Sequence, residues 1–386
     1  MGVDKPVNLL MGITLSEMGG AQKVVYDLIS SLPRDFYNMT LVTYPGGELI
    51  DWVKDLGSVR GADVKIIGIP EIRREISPIN DLVTLIKLYK IMKGGKYDIA
   101  HFHSSKMGIL GRLAAHLAGV PKIYFTVHGW GINEYQPKGL QRLFGWAEKL
   151  ASKRCSMCIC VSKYHRDLGL KMGWLSREKS TIIYNGIDEA PTTLGKLRNE
   201  LNIHGDVAII GTVMRLREPK QPLYTIQVFN EILSMGHRAK LVIVGDGPLH
   251  DSCVEAIESL GISDHVFMLG TRADARQLIN DMDIVTLFSK WEGLPIVIIE
   301  ALFAGKSVVC SGVGGVSEII DHGIDGLILE GFDIKNGADQ LSVLLQDKGL
   351  RAKIGKAAKQ KAMGKFMKDR MVEDYEGVYR GNQAHR

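Results

Sequence analysis

The chain has 386 residues, 45% of them hydrophobic and 24% charged, which makes two domains the first expectation and excludes a disordered chain. No apolar run reaches the ~18–20 residues of a membrane-spanning helix, and five cysteines in so long a chain argue against a disulfide framework and for a reducing cytoplasm. The net charge of +5 hides a division: residues 1–190 carry 25 Lys and Arg against 18 Asp and Glu, residues 191–350 carry 13 against 21, and residues 351–386 carry 10 against 4. Such asymmetry points to an anionic partner for the basic part, with a solvated surface of mixed charge as the plain alternative.

In chain order, residues 7–15 read as a strand rather than a signal peptide, because only Lys5 precedes them and no small-residue cleavage site follows. The strand runs into Gly19-Gly20, which opens a helix at 22–32 with Val24, Val25, Leu28, Ile29 and Leu32 at helical spacing. Paired glycines there let a ligand approach the backbone. A full Gly-x-Gly-x-x-Gly is missing, which disfavours a nicotinamide dehydrogenase. Strands at 39–43, 64–69, 99–103, 123–127 and 157–161 follow, with helices at 81–92, 108–118 and 139–151. His101 and His103 end one strand on a shared face, as two metal ligands would, but no third ligand is evident nearby. His128 ends another strand, placed either for a cleft or for a backbone bond in a turn. Cys155, Cys158 and Cys160 read as core.

A join at 184–204, with Asn185-Gly186 and Pro191, separates a second round of the same pattern. Strands are expected at 208–213, 239–244, 266–269, 284–287, 307–310 and 326–329. Helices are expected at 223–235, 250–260, 273–281, 295–303 and 316–321, and one long basic helical stretch at 350–380. Strands alternating with helices in both halves predict two Rossmann-like, doubly wound parallel sheets. The loop after 208–213 carries Arg215, Arg217 and Lys220, cations suited to a diphosphate or merely solvated. After 284–287 comes Trp291-Glu292-Gly293-Leu294-Pro295, a tight turn into a helix whose only charge is Glu300. That carboxylate is expected to be buried, either gripping a sugar diol or pairing with a Lys or Arg. Gly312-Val313-Gly314-Gly315 reads as a plain tight turn.

Taken together and in order, "HFH", "TVHGW", "CVSKYHRD", "IIYNGID", "GTVMRLREPKQP", "LVIVGDGP", "VFMLGT", "EGLPIVIIE" and "GGVSEIIDHGIDGLIL" resemble the retaining GT-B glycosyltransferases of family four, the group 1 enzymes of bacterial polysaccharide and glycolipid synthesis. The resemblance runs from Gly19-Gly20 to the C-terminal helix. It implies two Rossmann-like domains facing a central cleft: an acceptor-binding domain at 1–190, a donor-binding domain at 191–365, and a C-terminal helix at 366–386 packing back towards the first. It implies hexosyl transfer from a nucleotide-diphosphate sugar, UDP-sugar favoured over GDP-sugar, to a glycan or lipid-linked acceptor. By the same resemblance, Glu300 holds the ribose hydroxyls, and Glu292 faces the donor sugar beside Gly293, Leu294 and Pro295. Arg215 and Lys220 neutralise the leaving diphosphate, and His128 lies at the reaction centre. Gly19 and Gly20 admit the diphosphate and the acceptor, and Thr271 lies where the base is chosen. No cofactor or metal is implied, and no nucleic acid.

The chain departs from the family pattern at Gln22 (often Glu), at Gln221 after Lys220 (commonly Gly), and at Phe288-Ser289 (commonly Pro-Ser). The basic first half, with Lys87, Lys90, Lys93, Lys96, Lys149, Lys153 and Arg154, adds an anionic membrane surface as a partner, at the inner face of the cell membrane. Phe144 and Trp146, flanked by Arg142 and Lys149, suit that interface. Two other readings stay open: an epimerase or hydrolase of nucleotide sugars on the same fold, and a non-catalytic nucleotide-sugar-binding subunit.

Overall fold

The structure is a computed structural model and describes residues 5–60, 64–132, 136–189 and 194–381. The chain divides into two compact units: unit 1 comprises Met1–Asn185 with Lys368–Arg386, and unit 2 comprises Gly186–Met367. The crossings therefore fall at Asn185-Gly186 and Met367-Lys368. The boundary expected at 190, and Pro191 with it, lies outside the described residues.

Unit 1 begins β1 (Val7–Gly12), α1 (Gly20–Ser31), β2 (Tyr37–Thr43), α2 (Glu48–Arg60), β3 (Lys65–Gly68), α3 (Pro78–Gly95) and β4 (Ile99–His103). It continues α4 (Ser105–Ala118), β5 (Lys122–Val127), α5 (Lys138–Ser152), β6 (Met157–Cys160), α6 (Lys163–Lys171) and β7 (Ser180–Ile182). The seven strands are parallel in the order β3-β2-β1-β4-β5-β6-β7. Apolar strand residues are buried on both faces, as a parallel sheet covered by helices requires.

Unit 2 holds α7 (Lys196–Glu200), β8 (Ala208–Val213), α8 (Pro222–Ser234), β9 (Ala239–Val244), α9 (His250–Ser259), β10 (Val266–Met268) and α10 (Ala275–Leu278). Then come β11 (Ile284–Leu287), α11 (Ile296–Phe303), β12 (Ser307–Ser311), α12 (Val316–Ile319), β13 (Leu327–Leu329), α13 (Ile334–Gln346) and α14 (Lys348–Lys365). Its parallel sheet runs β10-β9-β8-β11-β12-β13. The chain then returns to unit 1 as α15 (Lys368–Arg380).

The expected single helix over 350–380 is thus two. Phe366 leaves the helical conformation, is wholly buried, and accepts from the Ile187 amide at 2.9 Å. The incoming and outgoing segments of unit 2 are pinned together there. Beyond the break, α15 buries Met371, Val372, Tyr375, Val378 and Tyr379, each such side chain contributing about 1.5–3 kcal/mol. Five elements escape the sequence reading: α2, α6, β7, α7 and α13. The residues of α6 are mostly polar, and its start is fixed by Ser162 Oγ accepting from the His165 amide, a cap that shows in no hydrophobic pattern.

Candidate functional site

Each sheet reverses its strand order once, between β1 and β4 in unit 1 and between β8 and β11 in unit 2. At such a reversal the connections on either side leave in opposite directions, so a crevice opens beyond the strands' carboxyl ends. In unit 2 the basic loop leaves β8 and the Glu292 turn leaves β11. The two strands pair directly, Ile284 with Ile210 and Val285 with Gly211.

The two loops are laced together. Lys220 Nζ lies 2.5 Å from Glu292 Oε1, and Ser289 Oγ donates to the same oxygen at 2.7 Å. The Lys290 amide donates to the Pro219 carbonyl at 2.8 Å, and Lys290 Nζ pairs with Glu218. Glu292 is 9% exposed and Lys220 20%, so both charges are held at the crevice rather than dispersed in solvent. Ser289, where the family pattern is kept, thus steadies Glu292. Phe288, where it is not, is fully buried.

Glycines let neighbouring backbone support both loops. Gly245 has φ 131°, and a Cβ there would lie 1.9 Å from the Met214 carbonyl oxygen. The loop after β9 can therefore lie against the loop carrying Arg215, which is exposed. The Leu216 amide donates to Asp246 O at 2.9 Å. Gly314 has φ 58°, and its Cβ would come within 2.0 Å of Glu292 O, while the Gly315 amide donates to Gly293 O at 3.0 Å. The turn read as plain is thus a brace for Glu292; the signal missed was its need for a left-handed residue.

Gln221 takes a left-handed conformation without being glycine, φ 47°. That explains the glycine common at this position in the family. Gln221→Gly is expected to relieve about 1 kcal/mol of strain and raise the thermal midpoint by a few degrees. A lowered midpoint in a melting scan would contradict this.

Pro295 caps α11 from one position earlier than expected, and Leu294 and Pro295 are buried while Gly293 is half-buried. Glu300 is not wholly buried. The helical phase sets it with Ile296 and Val297 on the partly open face of α11, and its side chain is 18% exposed. Arg276 Nε of α10 lies 4.0 Å from Glu300 Oε1. Arg276 Nη2 is buried with no hydrogen-bond partner among the described residues. The sequence reading missed Arg276, which sits in a short helix with no motif around it. Thr271 is exposed, just after the left-handed Gly270.

In unit 1, Gly19 caps α1 and Gly20 is its first residue, both exposed. His128 follows β5 and is half-buried. Its Nε2 lies 3.0 Å from His103 Nδ1, and the two rings stack at 5.3 Å. The backbone bond expected as the plain alternative is replaced by a histidine partner. Burial pushes the His128 and His101 rings down to about 3 and holds His103 well below its usual range, so all three are neutral at pH 7. The third histidine that spacing alone did not reveal is thus present. Even so, both nitrogens of His101 are within hydrogen-bond distance of hydroxyls, Tyr379 at 2.6 Å and Thr126 at 2.8 Å. Among the described residues no group of three or more His, Cys, Asp or Glu could hold a metal ion.

Two family models match the chain: "Glycosyltransferase Family 4" over residues 18–190 and "Glycosyl transferases group 1" over residues 195–361. Among curated relatives, the UDP-Gal:alpha-D-GlcNAc-diphosphoundecaprenol alpha-1,3-galactosyltransferase of Escherichia coli is 30% identical over 370 residues, 94% of each chain. The N,N'-diacetylbacillosaminyl-diphospho-undecaprenol alpha-1,3-N-acetylgalactosaminyltransferase of Campylobacter jejuni is 28% identical over 86% of this chain and 88% of its own. Anabaena HepE, solved with UDP-glucose, superposes with a TM-score of 0.83 at 21% identity, covering 97% of this chain and 99% of its own. WaaG, a glycosyltransferase involved in lipopolysaccharide biosynthesis, gives 0.78 at 16%, covering 97% and 100%. The chain thus belongs to the group 1, family-four glycosyltransferases, enzymes of GT-B fold and of the hexosyltransferase class.

Proposed function

We propose that this enzyme moves a hexosyl group from a UDP-sugar to a lipid-linked saccharide, with retention of anomeric configuration, in the synthesis of a cell-surface polysaccharide or glycolipid. The observation that carries the reading is the union of the Arg215–Lys220 loop and the Glu292 turn at the reversal point of the unit 2 sheet. The named activities of the Escherichia coli and Campylobacter jejuni relatives support a lipid-linked acceptor, and UDP-glucose bound to HepE supports UDP.

In this reading the anomeric carbon–oxygen bond breaks, and its electron pair leaves with the diphosphate. Arg215 and Lys220 supply the positive charge that stabilises the leaving group, so the step asks no metal for that purpose. The acceptor hydroxyl attacks the face the diphosphate vacates and passes its proton to a leaving phosphate oxygen. Glu292 faces the donor sugar, and His128, neutral, offers one ring nitrogen to a hydroxyl at the reaction centre. Glu300 accepts from both ribose hydroxyls. Gly19 and Gly20 leave room for the diphosphate, and Thr271 borders the base.

Glu300→Ala is expected to weaken UDP binding about 10–100-fold, since charge-assisted hydrogen bonds contribute about 1.5–3 kcal/mol. Titration calorimetry with UDP checks this, and an unchanged Kd would remove Glu300 from the ribose.

We further propose that unit 1 rests on an anionic membrane. No helix among the described residues is long and apolar enough to cross one. Along α3, Ile79 (78% exposed), Leu82, Ile86 and Tyr89 recur at helical spacing. Tyr89 and Ile86 border an apolar hollow of about 340 Å³ with Leu85 and with Leu117 of α4. Exposed Lys90 and Lys93 flank this stripe. Two nearby acids are paired, Asp81 with Lys106 at 2.7 Å and Glu71 with Lys87 at 2.6 Å, and the lysines unpaired among the described residues keep positive charge to meet lipid headgroups. On α5, Trp146 is 64% exposed, whereas Phe144 is half-buried, so Trp146 alone of that pair suits the interface. The protein is expected to pellet with anionic liposomes at low salt and to be released by high salt. Leu82→Ser/Ile86→Ser should lose this binding, and equal recovery with neutral vesicles would contradict the charge argument.

A further inference from the structure

His101-x-His103, buried beside His128, has no part in the transfer as read above. Both rings are fully buried at the carboxyl end of β4, next to the unit 1 reversal point. We propose that His103 is a positioning residue that fixes the tautomer and orientation of His128, and that His101 and α15 hold His103 in place. The proposal rests on the reaction-centre role given to His128.

The chain of contacts runs through named atoms. His103 Nδ1 meets His128 Nε2 at 3.0 Å. The His103 ring lies 4.2 Å from that of His101. His101 Nδ1 lies 2.6 Å from the Tyr379 hydroxyl and its Nε2 lies 2.8 Å from Thr126 Oγ1. Thr126 Oγ1 is in turn 3.1 Å from the Tyr375 hydroxyl. The C-terminal helix therefore anchors the far end of a histidine row whose near end is His128, directly through the Tyr379 hydroxyl and indirectly through Tyr375 and Thr126.

The tautomer follows from one orphaned atom. Each ring is neutral, so each carries one N–H and one lone pair. The bond between His103 and His128 holds one proton, donated from either side. His103 Nε2 is buried with no partner among the described residues. If His128 were the donor, His103 would keep its N–H on Nε2, as a buried unpaired donor. If His103 donates from Nδ1, only a bare acceptor is left unpaired. Orphaned buried N–H groups are the rarer and costlier case. His103 therefore donates, His128 Nε2 accepts, and His128 presents Nδ1–H as a donor. A sugar hydroxyl meeting His128 at that nitrogen would be met as an acceptor.

The test uses the full chain with ¹⁵N-labelled histidine and long-range ¹H–¹⁵N spectra. In the wild type, His103 and His128 should both appear as Nδ1–H tautomers. In His103→Leu, His128 should lose that preference and kcat should fall about tenfold, a hydrogen bond's worth of orientation, with donor KM held. His103→Asn, which keeps a donor at the Nδ1 position, should restore both the tautomer and kcat. Should His103→Leu fold poorly, the wild-type spectrum and His103→Asn still decide. An Nε2–H tautomer of His128 in the wild type, or a tautomer unmoved by His103→Leu, would overturn the proposal. Full activity in His128→Ala would instead strike the reaction-centre role of His128, leaving the spectral result to stand or fall separately.

Discussion

Lys220→Ala is expected to lower kcat by about two to three orders of magnitude, the usual cost of removing one preorganised group from developing negative charge. The reason lies in where the side chain is held. Lys220 ends a single 3-10 turn (Glu218–Lys220), is tied to Glu292, and is mostly covered. Its charge is placed before substrate arrives and needs no reorganisation during the step. Arg215 remains in the variant, so UDP should still bind, and the loss should appear in kcat more than in donor KM. The substitution also leaves Glu292 with Ser289 Oγ, at 2.7 Å, as its remaining side-chain partner among the described residues. Single-turnover kinetics measures the fall in turnover, and wild-type kcat in Lys220→Ala would contradict the role.

The second large effect concerns stability. Glu148→Ala is expected to cost unit 1 about 3–5 kcal/mol, because it strands a buried cation. Arg112 of α4 is wholly buried and Glu148 of α5 nearly so. The Arg112 guanidinium donates to Glu148 Oε2 at 2.5 Å, to Ser152 Oγ at 3.0 Å and to Gly108 O at 2.6 Å, and it lies 4.1 Å over the Phe125 ring. Each guanidinium nitrogen donates to one of these partners, and Glu148 is the only one of the three that carries a compensating charge. Replacing both partners by apolar residues, Arg112→Met with Glu148→Leu, should recover most of the loss, since desolvating an ion pair costs nearly what the pair returns. Urea unfolding checks both variants. A single variant within about 1 kcal/mol of wild type would contradict the argument.

Particular residues show why part of this was legible in the sequence and part was not. The strands were readable because a parallel sheet buried on both faces leaves unbroken Val/Ile/Leu runs, as in Leu241-Val242-Ile243-Val244. The loops after β8 and β11 were readable because cations and an acid stand beside glycine and proline. What escaped depends on tertiary contact. The helix break at Phe366 is set by its burial and its bond to Ile187, neither of which shows in a run rich in Lys and Ala. Glu300 looked buried because its neighbours are apolar, but helical phase, not composition, decides which face is covered. The Arg112–Glu148 pair joins residues 36 apart in sequence, and the partnership of His103 with His128 needs β4 and β5 side by side. Gln221 shows a further limit, since a left-handed backbone position reveals itself in one sequence only when glycine happens to fill it.

The most direct test of the account is transfer itself. Purified enzyme would be given an α-linked UDP-hexose, with a GlcNAc-diphospho-polyprenol acceptor and a chelator present, and the product's anomeric configuration read by NMR. An α-linked product is expected, formed with the chelator present and absent when the acceptor is withheld. A β-linked product, or rapid consumption or epimerisation of the donor without acceptor, would contradict it.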